Sequence, residues 1–112
     1  MKKLYNNLDK EVLACITLDS KNYITSSSII SIGTSSYLNT SPNEIFKTAI
    51  ISNSSSIILV HNHPSGDPTP SNADIKETLR FNECSELLGI KLLDHIIIGD
   101  TNFFSFKKHN II

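Results

Sequence analysis

The sequence has no long apolar run, no excess of one charge and no paired cysteines, and each lack removes a class of function. Its apolar segments are short, as at Ile57-Ile58-Leu59-Val60, whereas a bilayer-spanning helix needs about 20 residues. No membrane span is expected. Ten basic side chains against eleven acidic ones leave a net charge of -1. A duplex-binding module usually shows a basic excess on one face, so nucleic-acid binding gains no support from charge beyond a local patch. The opening Met1-Lys2-Lys3-Leu4-Tyr5-Asn6-Asn7 is basic, but the apolar core of a secretory leader does not follow it. The expected compartment is the cytoplasm. Cys15 and Cys84 stand far apart and outside any C-x-x-C spacing. They read as buried thiols, and a reducing compartment makes a disulfide unexpected.

What is present suffices for one domain, residues 1–112. A chain of 112 residues with 39% apolar and 19% charged side chains can bury a core without a staple. Residues 1–9 are polar and expected to fray. Glu11 to Leu18 alternates as a strand, with Val12, Ala14, Ile16 and Leu18 on one face and Glu11, Leu13, Cys15 and Thr17 on the other. Asp19-Ser20-Lys21-Asn22 signals a hairpin, and Tyr23 to Ile30 returns as a second strand. Residues 31–40 read as strand-like. Ser41-Pro42-Asn43-Glu44 predicts a helix start with a capping box, after which Ile45, Phe46, Ala49 and Ile50 recur at helical spacing. Ser56 to His61 is a central strand buried on both faces. A loop with Pro64, Gly66, Pro68 and Pro70 leads to a second capping signature, Ser71-Asn72-Ala73-Asp74. That helix runs to Leu88, stops at Gly89 and turns Ile75, Leu79, Leu87 and Leu88 inward. Lys91 to Ile98 is a strand, residues 99–102 a turn, and Phe103 to Phe106 the closing strand. The order predicts an α+β fold, α/β/α-like, with a mixed β-sheet flanked by helices.

The chemistry concentrates at His61-Asn62-His63. Residues i and i+2 of a strand point to one side, so both imidazoles converge while Asn62 faces away. Zinc takes about four ligands, and a catalytic zinc takes three from protein and one from water. Asp74 is the third candidate ligand, because side chains in a first helical turn lean back toward the N-terminus and the proline-stiffened loop can bring it to the histidines. The alternative for Asp74 is a capping carboxylate. Ser71 reads as an N-cap, as a hydroxyl stabilising an oxyanion, or as both. A general base is also needed. Glu77, Glu83 and Glu86 are carried away along the second helix and Glu44 has a capping role. That leaves Glu11, which from the residues alone reads equally as an exposed strand-end glutamate. His95 reads as a structural imidazole, with Asp94 as an alternative partner that orients a ligand. Thr78, one turn after Asp74, either holds that carboxylate or is an ordinary helix threonine. His109, in Lys107-Lys108-His109, reads as solvated.

His61-x-His63, seven residues, Ser71, two residues and Asp74 resembles the JAMM signature of JAB/MPN metalloprotease domains. The fuller run from His61 through Pro64-Ser65-Gly66-Asp67 to Asp74 is similar to the bacterial RadC branch, as are Leu88-Gly89-Ile90 and Leu93-Asp94-His95-Ile96-Ile97-Ile98-Gly99. The likeness covers about Glu11 to Phe106. It implies a JAB/MPN-type, cytidine-deaminase-like architecture, zinc on His61, His63 and Asp74, Glu11 as the base and Ser71 as the oxyanion donor. Active members of the wider family hydrolyse amide or isopeptide bonds, often at ubiquitin-like tails, so a peptide or isopeptide-linked protein is the implied substrate. The RadC branch carries a DNA-repair label. Its longer members add an N-terminal helix-hairpin-helix region not seen here, so this chain reads as a stand-alone domain or as one piece of a longer protein.

Three functions compete. The first is a zinc-dependent metallopeptidase or isopeptidase. The second is a DNA-repair-associated or nucleic-acid-processing protein, although the letters His-Asn-His do not make the longer HNH nuclease motif. The third is a non-catalytic module in which the metal only ties strand to helix.

Overall fold

Alternation at the start of the chain produces a hairpin. In the computed structural model, which describes residues 10–33 and 41–112, β1 spans Glu11–Leu18 and β2 spans Ile24–Gly33. The Asp19 carboxylate closes the turn by accepting the N–H groups of Lys21 and Tyr23, at 2.9 and 3.0 Å. Asn22 takes the left-handed conformation there, which asparagine tolerates better than most residues. β2 begins one residue later than expected and takes in residues 31–33. The expectations for 1–9 and 34–40 lie outside the described residues.

Helix α1 spans Pro42–Ile51 and buries Ile45, Phe46 and Ala49. Ile50 is exposed instead of buried. The capping box expected at Ser41 and Glu44 is not formed; the Glu44 N–H donates to the Ser41 backbone carbonyl at 3.1 Å. Pro42 presets the first turn, and the Glu44 N–H that the Ser41 side chain would have capped is taken by the Ser41 main chain. The second box is formed. In α2, Asn72–Leu88, Ser71 Oγ accepts the Asp74 N–H at 3.0 Å and Asp74 Oδ2 accepts the Ser71 N–H at 2.9 Å. Gly89 ends α2 with φ 71°, a conformation glycine adopts without a Cβ penalty.

Between and after the helices lie β3 (Ser56–Asn62), β4 (Lys91–Ile98) and β5 (Phe103–Ser105). The sheet order is β2-β1-β3-β4-β5. Only β3 and β4 run parallel, and α2 is their crossover. Central β3 is buried along nearly its whole length, as its apolar run predicts. β5 stops one residue early, because the Asp94 carboxylate accepts from Ser105 Oγ at 2.6 Å and from the Lys107 N–H at 3.0 Å and turns the chain.

The two faces of the sheet carry separate cores. Leu13, Cys15, Ile57, Leu59 and Leu92 pack with Ile45, Phe46 and Ala49 of α1 and Phe81 of α2. The opposite face gathers Val12, Ala14, Ile16, Leu18, Val60 and Ile98. Each such buried aliphatic side chain contributes about 1.5–3 kcal/mol. The two described helices thus share one face. The inner side of α2 is not the predicted Ile75, Leu79, Leu87 and Leu88. Its buried residues are Asp74, Thr78, Phe81 and Ser85, and Leu79, Leu87 and Leu88 are exposed. On this inner side Asp74 and Thr78 face histidines of the sheet while Phe81 enters the apolar core.

Candidate metal centre

Strand direction assembles the site. β1 is antiparallel to β3, with Leu13 opposite His61, so the first residue of β1 lies beside the last residues of β3. Glu11, His61 and His63 thereby share the helix-covered face, and α2 begins with Asp74 above them. This is the carboxyl end of the parallel β3–β4 pair, where open α/β sheets commonly form their crevices.

Glu11, His61 and His63 each offer a ligand atom, and these atoms lie within 4.8 Å of one another, close enough to hold a metal ion. His61 Nε2 is 3.4 Å from Glu11 Oε1 and 3.8 Å from Asp74 Oδ1. His63 Nε2 is 3.1 Å from Asp74 Oδ2. The four predicted residues therefore meet, and the triad whose ligand atoms lie together within 4.8 Å contains Glu11. Side-chain exposure rises from 0% at His61 and 7% at Asp74 to 15% at His63 and 21% at Glu11. His61 is the floor of the site and Glu11 its solvent edge. Two imidazole nitrogens and two carboxylates form a nitrogen–oxygen donor set that suits a divalent cation of the zinc type.

Hydrogen bonds fix each donor. His63 Nδ1 donates to the Asp67 carbonyl at 2.8 Å and Nε2 donates to Asp74 Oδ2. Acceptors at both nitrogens favour the protonated ring. The Asp74 hydrogen bond is the main cause that raises the His63 pKa above its ordinary 6.5, although burial opposes it. For Asp74, burial pushes the carboxyl pKa up, but the His63 hydrogen bond, the Ser71 N–H and the nearby His61 outweigh it and hold the group well below the usual carboxylate range.

Ser71 sits where the spacing places it. Its backbone N–H is on Asp74 Oδ2 and its Oγ accepts from the Asp74 N–H; that bond does not use the hydroxyl proton. Thr78 reaches the Asp74 main chain and His95. Its hydroxyl donates to the Asp74 backbone carbonyl at 2.7 Å and lies 2.6 Å from His95 Nδ1.

Two residues matter more than the sequence indicated. Asn62 points away from the site, as strand alternation requires, but its amide clamps the start of β1. Oδ1 accepts the Val12 N–H at 2.6 Å and Nδ2 donates to the Lys10 carbonyl at 3.1 Å. Glu11 lies between those two anchors. His95, fully buried, has Nε2 2.9 Å from His61 Nδ1. Burial is the main cause that holds its pKa well below 6.5, so it is neutral. The partner of a site histidine is thus His95, not Asp94, whose carboxylate serves the turn after β5. His109 is stacked on Phe104, with centroids 4.1 Å apart, and its Nδ1 donates to the Ser105 carbonyl. It is exposed, as expected, while making these two contacts.

The loop between the histidines and α2 is pinned by close backbone approach. Gly66 has φ 90°, and a Cβ there would overlap the Asp100 carboxylate. A Cβ on Gly99 would strike the Gly66 carbonyl and Pro68. The Asp100 N–H donates to the Gly66 carbonyl at 2.9 Å. The Gly66 N–H donates to the His63 carbonyl, also at 2.9 Å.

No helix among the described residues is long and apolar enough to cross a membrane. The sequence matches the family described as RadC-like JAB domain over residues 1–111. A UPF0758 protein of Clostridium beijerinckii is 51% identical over 110 residues, covering 96% of this chain and 47% of the relative. UPF0758 proteins of Desulfitobacterium hafniense and Clostridium botulinum are 47% and 50% identical, each covering 94% of this chain and 46% of the relative. The chain spans about half the length of the curated relatives it matches. The five-stranded mixed sheet with two described helices is the α+β arrangement of a JAB/MPN domain. Matched along nearly its whole length, the chain belongs to the RadC-like JAB domain family.

Proposed function

We propose that the chain is a zinc-dependent hydrolase of the metallopeptidase or isopeptidase type. The observation that carries this reading is the meeting of Glu11, His61, His63 and Asp74 at one end of the sheet, with exposure rising toward Glu11. His61, His63 and Asp74 would hold the metal. A divalent metal there supplies Lewis-acid polarisation of a carbonyl and a water made acidic near neutral pH. The chain's own groups do the rest. Glu11, at the solvent edge, takes a proton from the attacking water on its carboxylate and passes it to the leaving amine. Ser71 directs its hydroxyl proton toward the oxygen that becomes negative. The Pro- and Gly-bearing loop 64–70 fixes the spacing between histidines and aspartate before the metal arrives.

The test combines metal analysis with turnover on a peptide and isopeptide panel. One zinc per chain is expected. Glu11→Gln should keep the zinc and lower hydrolysis by about 10²–10⁴-fold. Full activity in that variant would remove Glu11 as base, and zinc loss would make it a ligand. Zinc bound without hydrolysis of any substrate would favour a metal-tied binding module.

A further inference from the structure

Three hydrogen bonds run in one direction beneath the site. The Thr78 hydroxyl donates its only proton to the Asp74 carbonyl one helical turn back. Thr78 Oγ1 must then accept at its 2.6 Å contact with His95 Nδ1. His95 therefore carries its proton on Nδ1, and its Nε2 accepts from His61 Nδ1 at 2.9 Å. With Nδ1 protonated, His61 presents the Nε2 lone pair to the side where Glu11 Oε1 and Asp74 Oδ1 lie. The His95 ring cannot turn freely. It is fully buried and stacked on Phe106, with centroids 4.6 Å apart and planes 7° from parallel.

We propose that His95 is a positioning residue of the metal centre: it fixes His61 in the tautomer whose Nε2 can coordinate and, through Thr78, ties that imidazole to the helical turn carrying Asp74. This rests on the metal-centre reading above. β3 supplies His61 and α2 supplies Asp74, and the relay through β4 sets the two in register. Outer partners of metal-bound histidines typically hold the tautomer and raise ligand basicity. Here a neutral second imidazole fills a place more often taken by a carboxylate or carbonyl.

Two measurements test this. In ¹⁵N-labelled protein treated with EDTA, imidazole long-range correlation spectra should give His95 as the Nδ1–H tautomer; an Nε2–H His95 would overturn the proposal. Zinc affinity by chelator competition should then fall about 10–100-fold in His95→Leu. His95→Gln should recover most of that loss, since its amide oxygen can accept from His61 Nδ1 and its NH₂ can donate to Thr78. Unchanged affinity in His95→Leu, with the parent protein binding zinc normally, would overturn the proposal alone. Equal weakness of Gln and Leu would mean that ring shape matters and the hydrogen bonds do not, and would also overturn it. Absence of zinc binding in the parent protein would remove the metal-centre reading and this proposal with it. Should His95→Leu fail to fold, the spectra of the parent and the His95→Gln affinity decide.

Discussion

Replacing Asn62 by alanine should weaken the fold by an amount that can be worked from its two hydrogen bonds. The Val12 N–H is buried and has Asn62 Oδ1 as acceptor at 2.6 Å. Lys10, whose carbonyl takes the other bond, is exposed. Water can replace the amide at Lys10 but not readily at Val12. The loss is therefore dominated by one stranded donor, about 1–3 kcal/mol, to which the missing side-chain atoms add a smaller packing loss. For a domain of this size that corresponds to a fall in Tm on the order of 5–15 °C. Asn62→Asp separates the two bonds through pH: when ionised, its buried carboxylate faces the Lys10 carbonyl and should weaken the fold at least as much as alanine, whereas the protonated acid can accept from Val12 and donate to Lys10, so this variant should gain stability as pH falls. The assay is urea unfolding followed by circular dichroism, with m unchanged between variants so that midpoints can be compared. A loss below about 0.5 kcal/mol, within the range of an ordinary surface substitution, would refute the clamp. Because Glu11 lies between the anchors, Asn62→Ala should also lower turnover at constant zinc content.

Further outcomes follow from the site's protonation and from the core thiol. Zinc must displace the proton that His63 Nε2 directs at Asp74, so affinity should rise with pH up to the raised His63 pKa, by about tenfold per unit for one proton. The EDTA-treated fold should behave oppositely. The raised His63 value contributes stability that is complete below pH 6.5 and lost as pH rises through the folded value, and the depressed Asp74 value contributes stability present above about pH 4 and lost as pH falls through its own folded value. Thermal melts with and without zinc should therefore diverge as pH rises above 6.5; a metal-free Tm that climbs there would contradict the His63–Asp74 pair. Burial pushes the Cys15 thiol up to about 12, while Cys84 is only partly covered. Iodoacetamide should label Cys84 in the native protein and Cys15 only after denaturation, as read by mass spectrometry; two fast-reacting thiols would contradict the core placement.

Much of this architecture was legible in the residues because local signals agreed. β1, β4 and α2 fall at the predicted boundaries, where alternation, a capping box and a C-terminal glycine all act over short range. The meeting of His61, His63 and Asp74 was legible for the same reason, i and i+2 on a strand and the first turn of the next helix, whereas Glu11 stood out from an exposed strand-end glutamate only through the family resemblance. The rotation of α2 was not. Helical period gives the spacing of a face but not which face turns inward, and here the inward face carries Asp74, Thr78 and Phe81 and not the leucines. His95 and Asn62 were also hidden. Their partners lie 34 and 50 residues away, and their meeting depends on sheet register, for which no nearby signal exists. The expected cap at Ser41 misled because the Ser41 carbonyl, not its hydroxyl, takes the Glu44 N–H.

The contact between Gly66 and Gly99 makes two turns into one mechanical part. The bend that separates the histidines from the helix rests directly on the bend between β4 and β5, main chain on main chain. A side chain at Gly99 would push on the Gly66 carbonyl and Pro68, and one at Gly66 would push on the Asp100 carboxylate. The turn after β4, which contributes no side chain to the Glu11, His61 and His63 group, thus lies directly against the loop that spaces those histidines from α2.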